Sequence, residues 1–158
     1  MPLPTAAAVL KAHLPRLGHR NWIGVVDGAY PAQVSAGVVL VPVADQQLAA
    51  IASVVKAVRA APHVRGVAFL DAELDHVAEQ HAKGVTAYRA GLAKVLGDAD
   101  VQRRAHEDII ADLDQAGKIF SVLLLKTSLA IPYTSLFMRL ECGYWSDAGE
   151  RALRQAMA

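Results

Sequence analysis

The chain has 158 residues, 54% of them hydrophobic and 20% charged, and its 16 Lys and Arg against 15 Asp and Glu leave a net charge of +1. That length supports a sizeable core for one domain and is short for two, so residues 1–158 are read as a single domain. A nucleic-acid binder would carry a basic excess, and a membrane protein a long unbroken apolar run; the sequence has neither.

A single cysteine, Cys142, excludes an internal disulfide and any C-x-x-C metal pair. It is expected as a buried thiol in a strand, in a chain kept in the reducing cytoplasm. The first fourteen residues carry Pro2 and Pro4 and lack the basic and apolar regions of a secretion signal.

In chain order, Thr5 is placed to cap a helix running through Val9, Leu10 and Leu14 towards Leu17, where Gly18 stops it. Trp22 to Val26 reads as a buried strand followed by the loop Asp27-Gly-Ala-Tyr-Pro31. Val38 to Val43 is a second strand, and Pro42 places it at an edge or a strand end. Asp45 is expected to cap a helix whose apolar positions, Leu48, Ile51, Val54, Val55 and Val58, fall on one face. A strand from Val64 to Leu70, ending at Asp71, follows, and then two helices between Ala72 and Leu96, broken near Gly84.

Val101 to Arg104 is a short strand. His106 to Leu113 is helical with Gly117 as its stop, and Ile119 to Leu125 is the strongest buried strand in the chain. Ser135 to Leu140 and the helix Asp147 to Met157 close the sequence. Helices alternating with apolar strands imply an α/β fold with a mainly parallel sheet covered on both faces.

In such sheets, ligands collect at the carboxyl ends of strands. Asp27 follows the first strand and His19 precedes it, although a Gly-His and an Asp eight residues apart are commonly structural. Glu73 and His76, with His81 beyond, have a metal-like spacing but lack a second set of ligands, which favours a solvated face. Gly24 and Gly28 lack the spacing of a dinucleotide loop.

Leu17-Gly-His19, Val25-Val-Asp27 and Tyr30-Pro-Ala32, together with Lys126-Thr127 and Tyr133 before the last strand, resemble the ribose pyranase and fucose mutarotase (RbsD/FucU) family. The aromatic Tyr30 before proline resembles the fucose-type branch. The resemblance implies a three-layer α/β/α sandwich and a monosaccharide mutarotase, with His19, Asp27 and Tyr133 as catalytic residues. It implies Tyr30, His106 and Ser135 as sugar-contacting residues, and no metal or organic cofactor. It also implies a homo-oligomeric ring, a pentamer or a decamer, with His19 and Asp27 from one chain meeting Tyr133 of its neighbour. The sequence departs from the family where Ser128-Leu129 replaces Gly-Glu and Ser135 replaces Asn, and it extends beyond the usual end through Tyr144 and Trp145.

The residue types suit the chemistry. Opening a cyclic hemiacetal needs a base for the anomeric hydroxyl and an acid for the ring oxygen, and imidazole as a class serves both near neutral pH. Two readings stay open: a mutarotase working with His19, Asp27 and Tyr133, and a sugar-binding or assembly protein that keeps the fold without turnover. His106 and Tyr30 also have bland alternatives, as a helix N-terminal surface group and a loop anchor.

Overall fold

Apolar, β-branched runs bounded by turns form the strands of the computed structural model, which describes residues 2–158. They are β1 (Trp22–Val26), β2 (Val38–Pro42), β3 (Val64–Asp71), β4 (Val101–Arg104), β5 (Val122–Lys126) and β6 (Leu136–Cys142). The helices are α1 (Ala6–His13), α2 (Gln47–Ala60), α3 (Val85–Leu96), α4 (His106–Ile119) and α5 (Asp147–Met157). Sheet order is β2-β5-β1-β6-β3-β4. All neighbours are parallel except β6, which runs antiparallel to both β1 and β3.

Alternation along β1 and β5 divides the core in two. Ile23, Val25, Leu123 and Leu125 pack with α1, α2 and α3 on one face. Trp22, Val26, Val122 and Leu124 pack with Phe137 and with Ile109 and Leu113 of α4 on the other. The result is a three-layer α/β/α sandwich, with strands buried on both faces as their continuous apolar runs require. β2 lies at an edge, where Pro42 removes no needed ladder donor. Because β6 is antiparallel, Leu136 at its start pairs with Val25 and Leu70, near the ends of β1 and β3. The loop before β6 therefore joins the carboxyl ends of the parallel strands.

Several elements differ from expectation. Thr5 caps α1 by accepting from the Ala8 amide at 3.2 Å, but the α-helix ends at His13 and Leu14–Arg16 tightens into a 3₁₀ turn containing Pro15. Asp45 does not cap α2; its Oδ2 accepts the Ala6 amide at 2.7 Å and ties down the start of α1. The first expected helix after Ala72 is only a 3₁₀ turn, Ala72–His76, whereas Gly84, in the left-handed region at φ 96°, does mark the start of α3.

Gly117 does not stop α4. The helix continues to Ile119 because a bare glycine is what its contact with β2 needs: a Cβ there would lie 2.8 Å from the Val38 side chain, and the Gly117 carbonyl accepts the Gly37 amide at 3.1 Å. Accordingly β5 begins at Val122 and Ile119 is exposed. β6 starts one residue later than expected and extends to Cys142, which is half-buried. No described helix is long and apolar enough to cross a membrane.

Candidate functional site

Four chain segments meet at the carboxyl edge of the sheet. Asp27 leaves β1, Asp71 ends β3, His106 opens α4 directly after β4, and Tyr133 and Ser135 lead into β6. Asp27, Tyr30, Gln33, His106, Tyr133 and Ser135 line a pocket of about 380 Å³. That size suits a small molecule.

His106 is the best-held group there. Its Nδ1 lies 3.0 Å from Oδ2 of Asp71, whose side chain is fully buried. With Asp71 as acceptor, Nδ1 carries the hydrogen and Nε2 is left to accept or deliver a proton. Both oxygens of Glu73 accept the His106 amide at 3.1 Å, so an acidic group covers the N-terminus of α4. This is what occupies Glu73, in place of the solvated face expected for it. The Tyr133 ring meets the imidazole edge-on with centroids 5.6 Å apart. Tyr133 also holds φ at 59°, an uncommon and costly backbone state for a bulky residue.

Burial pushes the Asp71 carboxyl up from the usual range, while the hydrogen bond and charge of His106 pull it down. Its Oδ1 has no hydrogen-bond partner. Burial likewise raises Asp27; the Ala29 and Tyr30 amides and the charges of Lys126 and His106 oppose the shift. Two carboxyls that resist ionisation thus flank one imidazole.

The walls are held by polar contacts. Lys126 Nζ donates to the Tyr30 carbonyl at 2.7 Å. The Tyr30 hydroxyl donates to Gln33 Oε1 at 3.1 Å, and Gln33 Nε2 donates to Asp114 at 2.9 Å. Burial and the nearby Asp114 and Asp71 push the Tyr30 phenol up to about 12, so it stays a donor. Its ring is buried, 6.3 Å from that of Phe137, which makes Tyr30 an anchored wall. Beneath the site, buried Gln47 donates to the carbonyls of Val25 and Thr134 and accepts from Thr127, and the Tyr88 hydroxyl also donates to Thr134. This network fixes the backbone that presents Ser135.

His19 lies elsewhere. It precedes β1, whose five residues alone span about 16 Å. It lines a separate cleft with Arg20, Trp22, Arg139 and Glu141, its Nε2 3.8 Å from a Glu141 oxygen. One chain therefore brings together Asp27, Tyr30, His106, Tyr133 and Ser135, and leaves His19 at the opposite end of the strand. Within one chain, Asp27 and Tyr133 share a pocket from which that chain's His19 is absent.

The sequence pattern alone does not mark Asp71, Gln33, Asp114 and Lys126 as site residues. The available signal was an acidic residue closing an apolar strand, which Asp71 shares with Asp27. Leu129 packs against the main core, and its carbonyl accepts the Gly28 amide at 2.9 Å.

No protein-family model matches the sequence, and no curated protein sequence matches it. Solved structures do resemble the fold. RbsD of Bacillus subtilis complexed with D-ribose superposes with a TM-score of 0.55 at 16% identity, over 85% of this chain and 92% of that one. FucU of Bifidobacterium longum gives 0.55 at 16% identity, covering 85% and 93%. The fucose mutarotase of Streptococcus pneumoniae in complex with L-fucose gives 0.52 at 14% identity, covering 88% and 96%. The chain has the RbsD/FucU fold.

Proposed function

We propose that this chain is a monosaccharide mutarotase or pyranase, interconverting anomers or ring forms of a free fucose- or ribose-like sugar. The observation that carries the reading is the convergence of Asp27, Tyr133 and the Asp71-held His106 on one pocket at the carboxyl edge. Ring opening removes the anomeric O–H proton, breaks the bond between the anomeric carbon and the ring oxygen, and protonates that oxygen; closure reverses each step. His106 Nε2 is suited to one proton transfer and a raised Asp27 carboxyl to the other. Tyr133 and Ser135 hydroxyls offer donors to sugar oxygens, and the reaction is balanced without a cofactor.

His19 enters this scheme from a neighbouring copy, in a homo-oligomeric ring whose subunit boundary brings one chain's His19 cleft to the next chain's pocket. The second reading, a sugar-binding protein without turnover, is favoured by the distance of His19 from the pocket and by Leu129 packed where the family has Glu. Saturation-transfer NMR on free L-fucose, D-ribose and D-galactose separates the two. Enzyme-dependent exchange supports the mutarotase; binding without exchange supports the second reading.

A further inference from the structure

A further concavity lies away from the candidate site. It is a groove of about 710 Å³ between α1 and α2, with a floor of Leu10, Leu14, Ala57 and Ala60 and a rim carrying Lys11 and Lys56. Neither lysine has an ion-pair partner among the described residues.

The C-terminal helix has the opposite character. α5 is 11 residues long, about 16 Å, and buries none of its side chains. Isolated helices of that length are marginal in water, so packing of its apolar side against another surface would stabilise it. Successive turns place Gly149, Ala152, Leu153 and Ala156 on one face, and Leu153, Met157 and Trp145 are exposed. Trp145 extends that face over Gly149 and donates from its indole to Glu150 at 2.7 Å. Asp147 and Glu150 make the first turn acidic.

We propose that α5 is an assembly arm, whose apolar face, centred on Leu153, docks in the α1–α2 groove of a second copy of this chain. The shapes complement each other: bulky Leu153 and Met157 oppose a floor rich in alanine, as ridges into grooves require. Glu150 is paired with Arg154, but Asp147 at the start of α5 has no ion-pair partner among the described residues and complements the unpaired lysines on the groove rim. A second copy is favoured over the chain's own groove by the root of the arm. At Gly143 a Cβ would lie 2.7 Å from the Pro62 carbonyl and the Val64 amide, and the Gly143 amide donates to the His63 carbonyl at 3.1 Å, so the connector is pinned at the groove's end while α5 buries no side chain against its own chain. Reciprocal exchange between two copies doubles the contact.

The test uses the full chain with Cys142→Ser to remove the native thiol. Ala57→Cys and Leu153→Cys chains, one carrying a larger tag, are co-expressed, oxidised and run without reductant. The expected result is a covalent dimer containing one chain of each kind, in clear excess over dimers formed by either variant alone. Absence of that mixed dimer overturns the proposal. So does the double variant, Ala57→Cys with Leu153→Cys, closing an internal disulfide within a monomer. Neither readout depends on sugar chemistry, so the assembly arm and the mutarotase reading fail independently.

Discussion

His106 Nδ1 and Asp71 Oδ2 stand 3.0 Å apart, joining the start of α4 to the end of β3 across 35 residues of sequence. The contact decides which imidazole nitrogen faces a ligand. Asp71→Asn can donate to Nδ1 and so favours the other tautomer. Anomer exchange is expected to fall about 100-fold, mostly in kcat, since Asp71 does not line the pocket. An unchanged kcat with an unchanged pH profile would remove Asp71 as a positioning residue.

Asp27 gives a pH prediction. Burial raises its folded carboxyl above the unfolded value, so its stabilising contribution is present below the ordinary carboxylate range and lost as pH rises through the folded value. Asp27→Asn never carries the buried charge. Its melting temperature should exceed wild type at pH 7, and the advantage should shrink as pH falls to about 3. Exchange activity should be lost across the range. A constant Tm difference between pH 3 and pH 7 would contradict the assignment.

The separation of the two pockets that hold His19 and Tyr133 makes complementation decisive. His19→Asn and Tyr133→Ala are each expected to be inactive with nearly wild-type melting temperatures, because neither group is in the core. Co-expressed in equal amounts, they restore intact sites at about a quarter of positions if His19 crosses a subunit boundary. Assembled mixed oligomers without recovery would confine catalysis to one chain.

Ser135 is buried between the Gln47 network and the pocket. Ser135→Asn introduces an amide towards the ligand and is expected to change the ranking of fucose, ribose and galactose by about tenfold while leaving the proton-transfer groups in place. Equal proportional changes for all three sugars would contradict a selectivity role.

Local signals made much of the fold legible. The apolar runs of β1 and β5, the stripe of α2 and the Thr5 cap depend on neighbours in sequence, and the structure places them close to expectation. Gly117 misled because its small size serves a contact with Val38, far away in sequence, rather than a helix end. The same division holds at the site. Asp27 and Tyr133 lie in segments with a recognisable pattern, whereas Asp71 acts only through a partner 35 residues away. His19 is close to Asp27 in sequence and remote from its pocket in space, because an extended strand separates its two ends.

On the proposed function, the pocket shared by Asp27, His106 and Tyr133 opens and recloses a sugar ring. Saturation-transfer NMR on L-fucose and D-ribose tests it most directly, comparing wild type with His106→Asn and Tyr133→Phe at one pH. Enzyme-dependent transfer between anomer signals is expected for wild type on at least one sugar. A loss of about 100-fold is expected in the His106 variant and a smaller loss in the Tyr133 variant. Wild-type rates equal to the uncatalysed rate on every sugar, or full activity in both variants, would contradict it.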